Sequence, residues 1–268
     1  RAYMDSNSAT GGGGAINVED PVGDLTISDS RLSSNASQTA AAMRVQFASP
    51  VDVLVDRVAL IGNLTAAGDV IAVGAYGPPA DSFIMRNVLI ASTSVTFSVP
   101  SAGLIRADVG WAEQGRVDFG AEHITAINNE GAALLEVQAQ TVPNQSGVFS
   151  GTLSNNLVIG LPALFLPQQS GPSQIHLTAD HTLTQTVPAL TTSVIGAASI
   201  TMTQPIAGAP LLDAQYRPQT FSAAINAGRD LGVASDLSGA PRDYWPDIGA
   251  YEAPPGTMTR LMLPALQK

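Results

Sequence analysis

Two apolar alternations recur together along this chain, out of phase with each other, and that double recurrence limits the fold more than any other feature. The first reads apolar, polar, apolar, polar at Ile16-Asn17-Val18-Glu19, Met43-Arg44-Val45-Gln46, Ile71-Ala72-Val73-Gly74, Ile105-Arg106-Ala107-Asp108 and Leu135-Glu136-Val137-Gln138, with steps of 27, 28, 34 and 30 between leading residues. The second runs through Leu25-Thr26-Ile27, Val53-Leu54-Val55, Phe83-Ile84-Met85, Val117-Asp118-Phe119 and Gly147-Val148-Phe149, with steps of 28, 30, 34 and 30. Both series lengthen at the same place. A stacked repeat behaves this way when an insertion extends one turn and leaves the strands in position. A weaker apolar stretch follows each second strand, at Leu32, Leu60-Ile61, Leu89-Ile90, Ile124-Ile127 and Leu157-Ile159. Three short strands per coil predict an all-β, single-stranded solenoid, the parallel β-helix.

Period-2 alternation points Ile16, Met43, Ile71, Ile105 and Leu135 inward as one column, and Val18, Val45, Val73, Ala107 and Val137 as a second. Coils stacked at the strand spacing of about 4.8 Å make each column continuous. A lone coil would leave its inner face in water, so the fold needs neighbours. The 25 glycines, 18 prolines and 13% charged residues suit short strands and frequent turns. The best helical candidate, Ser37 to Met43, is short and competes with the strand phase starting at Met43. Beyond Gln168 the repeat blurs, with Ile175 to Leu183 and Val194 to Met202 as strands of irregular coils. The expected organisation is a solenoid over 1–205, a module closing the last coil over 206–252, and a linker with a short apolar tail over 253–268.

Composition removes several function classes. Without cysteine there is no disulfide, thiolate metal site or Cys nucleophile. Lys268 is the only lysine, the formal charge is -10, and no Lys/Arg cluster exists, so nucleic acid and anionic lipid are poor partners. No apolar run reaches the length of a membrane-spanning helix; the longest, Leu157 to Pro167, is broken by Gly160 and Pro162. The chain starts at Arg1 with no signal peptide and already reads as a turn entering a coil, as expected of a processed or truncated product.

Gly12-Gly13-Gly14-Ala15-Ile16, Leu25-Thr26-Ile27-Ser28-Asp29-Ser30 and Asn35-Ala36-Ser37 resemble a coil of the bacterial right-handed parallel β-helix proteins. Pro210-Leu211-Leu212, Ala224-Ile225-Asn226-Ala227-Gly228, Asp236, Gly239-Ala240-Pro241-Arg242 and Asp247-Ile248-Gly249-Ala250-Tyr251-Glu252 resemble the terminal module of secreted bacterial β-helix proteins of the choice-of-anchor Q group. The resemblance covers the first coil or two and Pro210 to Glu252. It implies a secreted or cell-surface protein with the pectate-lyase-like right-handed solenoid fold. That fold hosts polysaccharide lyases, glycoside hydrolases, epimerases and adhesins, so the activity has to be read from the site. Asp236, Arg242, Asp243, Asp247 and Glu252 then belong to a polar cap protecting strand edges.

Candidate chemistry lies on the outward columns of the first strand. Arg106, Asp108 and Glu136 should cluster within two coils, with Arg44 and Gln46 beyond the small residues Ala72 and Gly74, and Gln138 alongside. Small residues between polar ones make a shallow groove fitted to an extended polysaccharide or cell-surface glycan. There Asp108 and Glu136 are acid/base candidates, and Arg106 holds a carboxylate. The opposing reading is a solvated face on which Arg106 and Glu136 pair. A second candidate is the turn holding Trp111, Glu113, Arg116, Asp118, Glu122 and His123. Trp111 could stack on a sugar, or His123 could act as base for a hydrolase of a non-sugar substrate. His176 and His181 fall on opposite faces and read as structural.

No cofactor is implied. Calcium is not signalled, because the acidic residues lack calcium-loop spacing and the outward face offers few convergent carboxylates. No phosphate loop, zinc-protease, serine-hydrolase or dinucleotide motif occurs. Asn35, Asn63 and Asn144 stand in Asn-x-Ser/Thr triplets. Leu54 and Ile84, apolar and outward, point to a face covered by a loop or partner. A non-catalytic structural or adhesive role remains the main alternative to glycan engagement.

Overall fold

The inward columns expected from the alternation line up in register. In a computed structural model, which describes residues 2–66, 69–75, 81–95, 103–109, 116–139, 147–169, 173–185, 189–191 and 198–257, Ile16, Met43, Ile71, Ile105, Leu135 and Phe165 are successive parallel partners. They belong to a first sheet of seven strands: Ile16–Glu19, Met43–Phe47, Ile71–Ala75, Gly103–Val109, Ala133–Ala139, Ala163–Gln169 and Ala189–Thr191. A second, 12-stranded sheet starts with the long strands Leu25–Ser33, Asp52–Ile61 and Asp81–Ala91. It continues through pairs of shorter ones such as Arg116–Glu122 with Thr125–Ile127 and Val148–Ser154 with Leu157–Ile159. A third sheet has four strands, Ser8–Gly12, Ala36–Thr39, Leu64–Thr65 and Ser94–Val95. The molecule is a parallel β-helix, and there is no helix among the described residues. The Ser37 to Met43 stretch is instead the end of a third-sheet strand, a turn and the start of a first-sheet strand. Packing of Met43 in the stack overrides its weak helical propensity.

Two details of the coil differ from the expectation. The weaker apolar stretch is not a separate third strand in the early coils. Leu32, Leu60 and Ile90 are in register in the same long strands as Leu25, Val53 and Phe83. The second sheet is also offset by two residues at the lengthened coil, where Phe83 pairs with Phe119, and by two more at the next coil, where Val117 pairs with Phe149. A two-residue offset keeps every side chain on its face, so the alternation alone cannot detect it. The consequence is a run of rings: Phe83 and its register partner Phe119 stack with centroids 5.9 Å apart, and Phe119 meets Phe149 diagonally, across from Gly151, at 6.1 Å. A Cβ on Gly151 would come within 2.7 Å of the Phe149 ring, so glycine there makes room for the stack.

The long strands bend without breaking their ladders. Asp29, Arg57, Asn87, His123, Asn155, His181 and Gln204 occupy one register position, each in the left-handed region with φ between 44° and 57°. One left-handed residue swings the chain onto the next face while both flanking stretches stay hydrogen-bonded. Asn and Asp tolerate this conformation best. At the next corner buried asparagines supply hydrogen bonds that the turning backbone lacks. Asn35 Nδ2 donates to Asn63 Oδ1 at 3.1 Å and Asn63 Nδ2 to the Leu32 carbonyl at 2.9 Å. Both asparagines are fully buried, which closes them to glycan attachment. Asn144 lies outside the described residues.

Past Ala207 the chain leaves the stack and returns along its flank. Ala224 and Ile248 pack with Leu157, Ile159 and Leu183 of later coils; Ala250 and Tyr251 pack with Leu89, Ala91 and Ala59 of earlier ones. Having almost no ladder bonds, this strap is shaped by side chains that bind backbone. Asp236 Oδ1 accepts from the Ser238 and Ala240 amides at 2.8 Å, and Asp247 accepts from the Asn226 and Ala253 amides at 2.8 and 2.7 Å. The segment therefore runs lengthwise on the side of the helix, whereas the expectation was closure of the last coil. The inward Ala198, Ile200 and Met202 of the last second-sheet strand stay partly exposed. Leu54 and Ile84 are in register and half-buried on the outer second sheet.

Candidate functional site

The outward side chains of the first sheet form two ranks. Asn17, Arg44, Ala72, Arg106 and Glu136 make one, and Glu19, Gln46, Gly74, Asp108, Gln138 and Gln168 the other. Because Ala72 and Gly74 are small, the sheet dips between Arg44 with Gln46 on one side and Arg106 with Asp108 on the other. The hollow measures about 210 Å3, and Thr39 and Asp69 also line it.

Arg106 organises one wall. Its Nε donates to Asp108 Oδ1 at 2.9 Å and an Nη2 proton to Gln138 Oε1 at 3.2 Å. Gln138 Nε2 donates to Glu136 Oε1 at 2.6 Å, as does Gln168 Nε2 at 3.1 Å, and the Gly103 amide donates to Glu136 Oε2 at 3.0 Å. A Cβ on Gly103 would sit 2.7 Å from that of Glu136, so glycine permits the last contact. On the opposite wall Arg44 pairs with Glu19 at 3.3 Å. Asp69, in the turn entering the strand Ile71–Ala75, has its Oδ2 3.9 Å from Arg106 Nη1, and its Oδ1 is buried without a hydrogen-bond partner. Burial, reinforced by nearby Glu136, pushes the Asp69 carboxyl well above its ordinary range. Burial also raises Asp108 and Glu136, although Arg106 pulls both down.

Arg44, Gln46, Arg106, Asp108, Glu136 and Gln138 thus share one face. Glu136 is only 2% exposed and its carboxylate is enclosed by three donors, so it supports the wall from behind. Glu122 and His123 belong to the second sheet, away from the groove. Glu122 accepts from Arg86 Nε at 2.6 Å, and Arg116 is paired with Asp118. His123 is fully buried beneath the strap: Nδ1 donates to the Asp247 carbonyl at 3.2 Å and Nε2 accepts from Asn155 Nδ2 at 3.1 Å. No ring nitrogen is left for a substrate. Trp111 and Glu113 lie outside the described residues. Sequence reasoning missed Asp69, Thr39 and Gln168. Only Gln168 carried a signal, standing 30 residues after Gln138 in the same rank.

Burial lowers the His123 pKa to about 3. The unfolded chain, with an ordinary pKa near 6.5, takes up a proton first as pH falls, so the stability from neutral His123 is present above about pH 6.5 and lost downward toward about pH 3. Denaturant melts of the wild type and of His123→Asn should differ in slope across that window by about 1.4 kcal/mol per pH unit, the variant being the less acid-sensitive. Parallel pH profiles would refute the buried, neutral state.

A larger hollow of about 560 Å3 separates the strap from the first coils and is lined by Tyr3, Arg31, Arg57 and Tyr251 among others. Arg57 is tied to Asp29 and Asp56 there. Among the described residues no group of three His, Cys, Asp or Glu side chains is placed to hold a metal ion, and no helix is long and apolar enough to cross a membrane. Comparison of the chain with protein-family models, curated proteins and solved structures gives no match.

Proposed function

We propose that this protein is a secreted or cell-surface β-helix that engages polysaccharide in the first-sheet groove. The observation carrying this reading is the convergence of Arg44, Gln46, Asp69, Arg106 and Asp108 on a floor of Ala72 and Gly74. An extended glycan needs such a shallow trough, with donors and acceptors on both banks for its hydroxyls. The location rests on the resemblance of Pro210 to Glu252 to the terminal module of secreted bacterial proteins. Enclosure of Glu136 by Gln138, Gln168 and Gly103 favours recognition over turnover, because a working acid or base has to reach the scissile bond. A carbohydrate-active form, lyase or glycoside hydrolase, would rest on Asp108 with Arg106.

A glycan array and a depolymerisation screen, with and without calcium, on the wild type and an Asp108→Asn, Glu136→Gln double variant test the reading. The expected result is binding of at least one glycan class, weakened about tenfold or more in the variant, without cleavage. Cleavage lost in the variant would replace recognition by catalysis at the same face. No retention of any glycan would leave a structural or adhesive role and overturn the proposal.

A further inference from the structure

The groove is short of positive charge. Around it stand four carboxyl groups, Glu19, Asp69, Asp108 and Glu136, against two guanidinium groups, Arg44 and Arg106. Each guanidinium is already engaged, Arg44 by Glu19 and Arg106 by Asp108 and Gln138, so neither is free to take Asp69 as its main partner. The Asp69 side chain is 3% exposed, lines the hollow, stands 3.9 Å from the nearest Arg106 nitrogen, and has one oxygen with no partner. A buried carboxyl oxygen without a donor is costly, and a wall that otherwise satisfies its polar groups leaves this one incomplete. Burial displaces the Asp69, Asp108 and Glu136 carboxyls upward, and at Asp69 the neighbouring Glu136 charge adds to it, which marks the same deficit.

We infer that the groove selects a glycan bearing a primary ammonium group, an amino sugar, whose nitrogen docks between Asp69 and Asp108. This rests on the glycan reading above. An ammonium brings three donors and one positive charge, which completes Asp69 and offsets the surplus carboxylate. Thr39 and Gln46 give the lining neutral polar groups, and the Ala72 and Gly74 floor lets the chain lie against the sheet. A uronate would bring negative charge against Asp69 and Asp108, and an N-acetylated sugar would bring bulk and no charge.

The test is calorimetric titration of the whole chain with three oligosaccharides of equal length: a β-linked glucosamine oligomer, its fully N-acetylated form and an oligogalacturonate. The glucosamine oligomer should bind at least about tenfold tighter than either of the others. Asp69→Asn, nearly isosteric, should bring the glucosamine oligomer down to the affinity of the N-acetylated one while leaving the melting temperature unchanged. Ala72→Leu, which fills the floor without touching a carboxyl, should weaken all binding. Equal or tighter binding of the N-acetylated or uronate oligomer overturns the inference and leaves the glycan reading standing. So does a preference that survives Asp69→Asn, whereas binding indifferent to Ala72→Leu would place the glycan outside the groove and overturn both. Failure of every glycan, on the array as well, removes both.

Discussion

Replacing Arg242 with alanine is expected to release the strap from the helix and to lower the unfolding free energy by about 3–5 kcal/mol, the usual result of removing one partner of a buried ion pair. Arg242 is 2% exposed, Nη1 meets Glu252 at 2.7 Å, and Nη2 donates to Asn87 Oδ1 at 2.8 Å and to the Gly249 carbonyl at 2.9 Å. One side chain therefore joins both arms of the strap to the left-handed corner of an early coil. Its loss takes the counter-charge from the Glu252 carboxylate and leaves the Asn87 amide oxygen and the Gly249 carbonyl without this donor. Burial, with the Asp247 charge second, already lifts Glu252 to about 7. A folded pKa raised above the unfolded 4.5 favours folding at low pH, and that advantage fades as pH rises through 7. Without the guanidinium the folded value climbs further, so the damage should be larger at pH 8 than at pH 5. Denaturant melts at the two pH values, with limited proteolysis of the 208–257 region, check both parts. Equal destabilisation at the two, or a strap no more open to protease, would show that Arg242 is not the clasp.

Phe119→Ala should cost a similar amount, about 3–5 kcal/mol, through lost burial and the cavity left behind. At 3% exposure Phe119 is the middle ring between Phe83 and Phe149, so its removal unstacks two contacts at once. For a chain of this size each kcal/mol moves the melting temperature by about 2–4 °C, which predicts a drop of about 10 °C. Phe119→Leu keeps most of the volume and should recover more than half of it. A drop of only about 2 °C for alanine would mean that the rings are not close-packed.

The stack itself was legible because burial on both sides of a coil writes a strict period into the sequence. The inward Ile16, Met43, Ile71, Ile105 and Leu135 could be aligned by eye, and the outward ranks that build the groove followed from the same alignment. What escaped was anything decided by a single backbone angle or by contacts distant in sequence. His123 read as a turn residue able to act as a base; a left-handed φ of 57° and a strap residue 124 positions away bury it. Asp69 precedes its strand without a motif, and only the groove formed by later coils gives it a setting. The Phe83 to Phe119 register was hidden because the inserted residues lengthen the coil by an amount that preserves the face. Strap residues such as Asp236 and Asp247 read as a polar cluster, but their role lies in amides up to 21 residues off.

A stack of coils held by nearest-neighbour contacts can open from either end, one coil at a time, with no penalty felt further along. The strap changes that statistics. By joining Asn87 to Arg242, 155 residues apart, and Asn155 to Arg229, 74 apart, it lays one continuous brace across coils that do not touch one another. Fraying of an early coil now loosens contacts belonging to a late one. Such bracing turns a graded, zipper-like opening into a concerted one, and it sets a sequence of events: the last-made part of the chain can lock only after the coils it spans are in place.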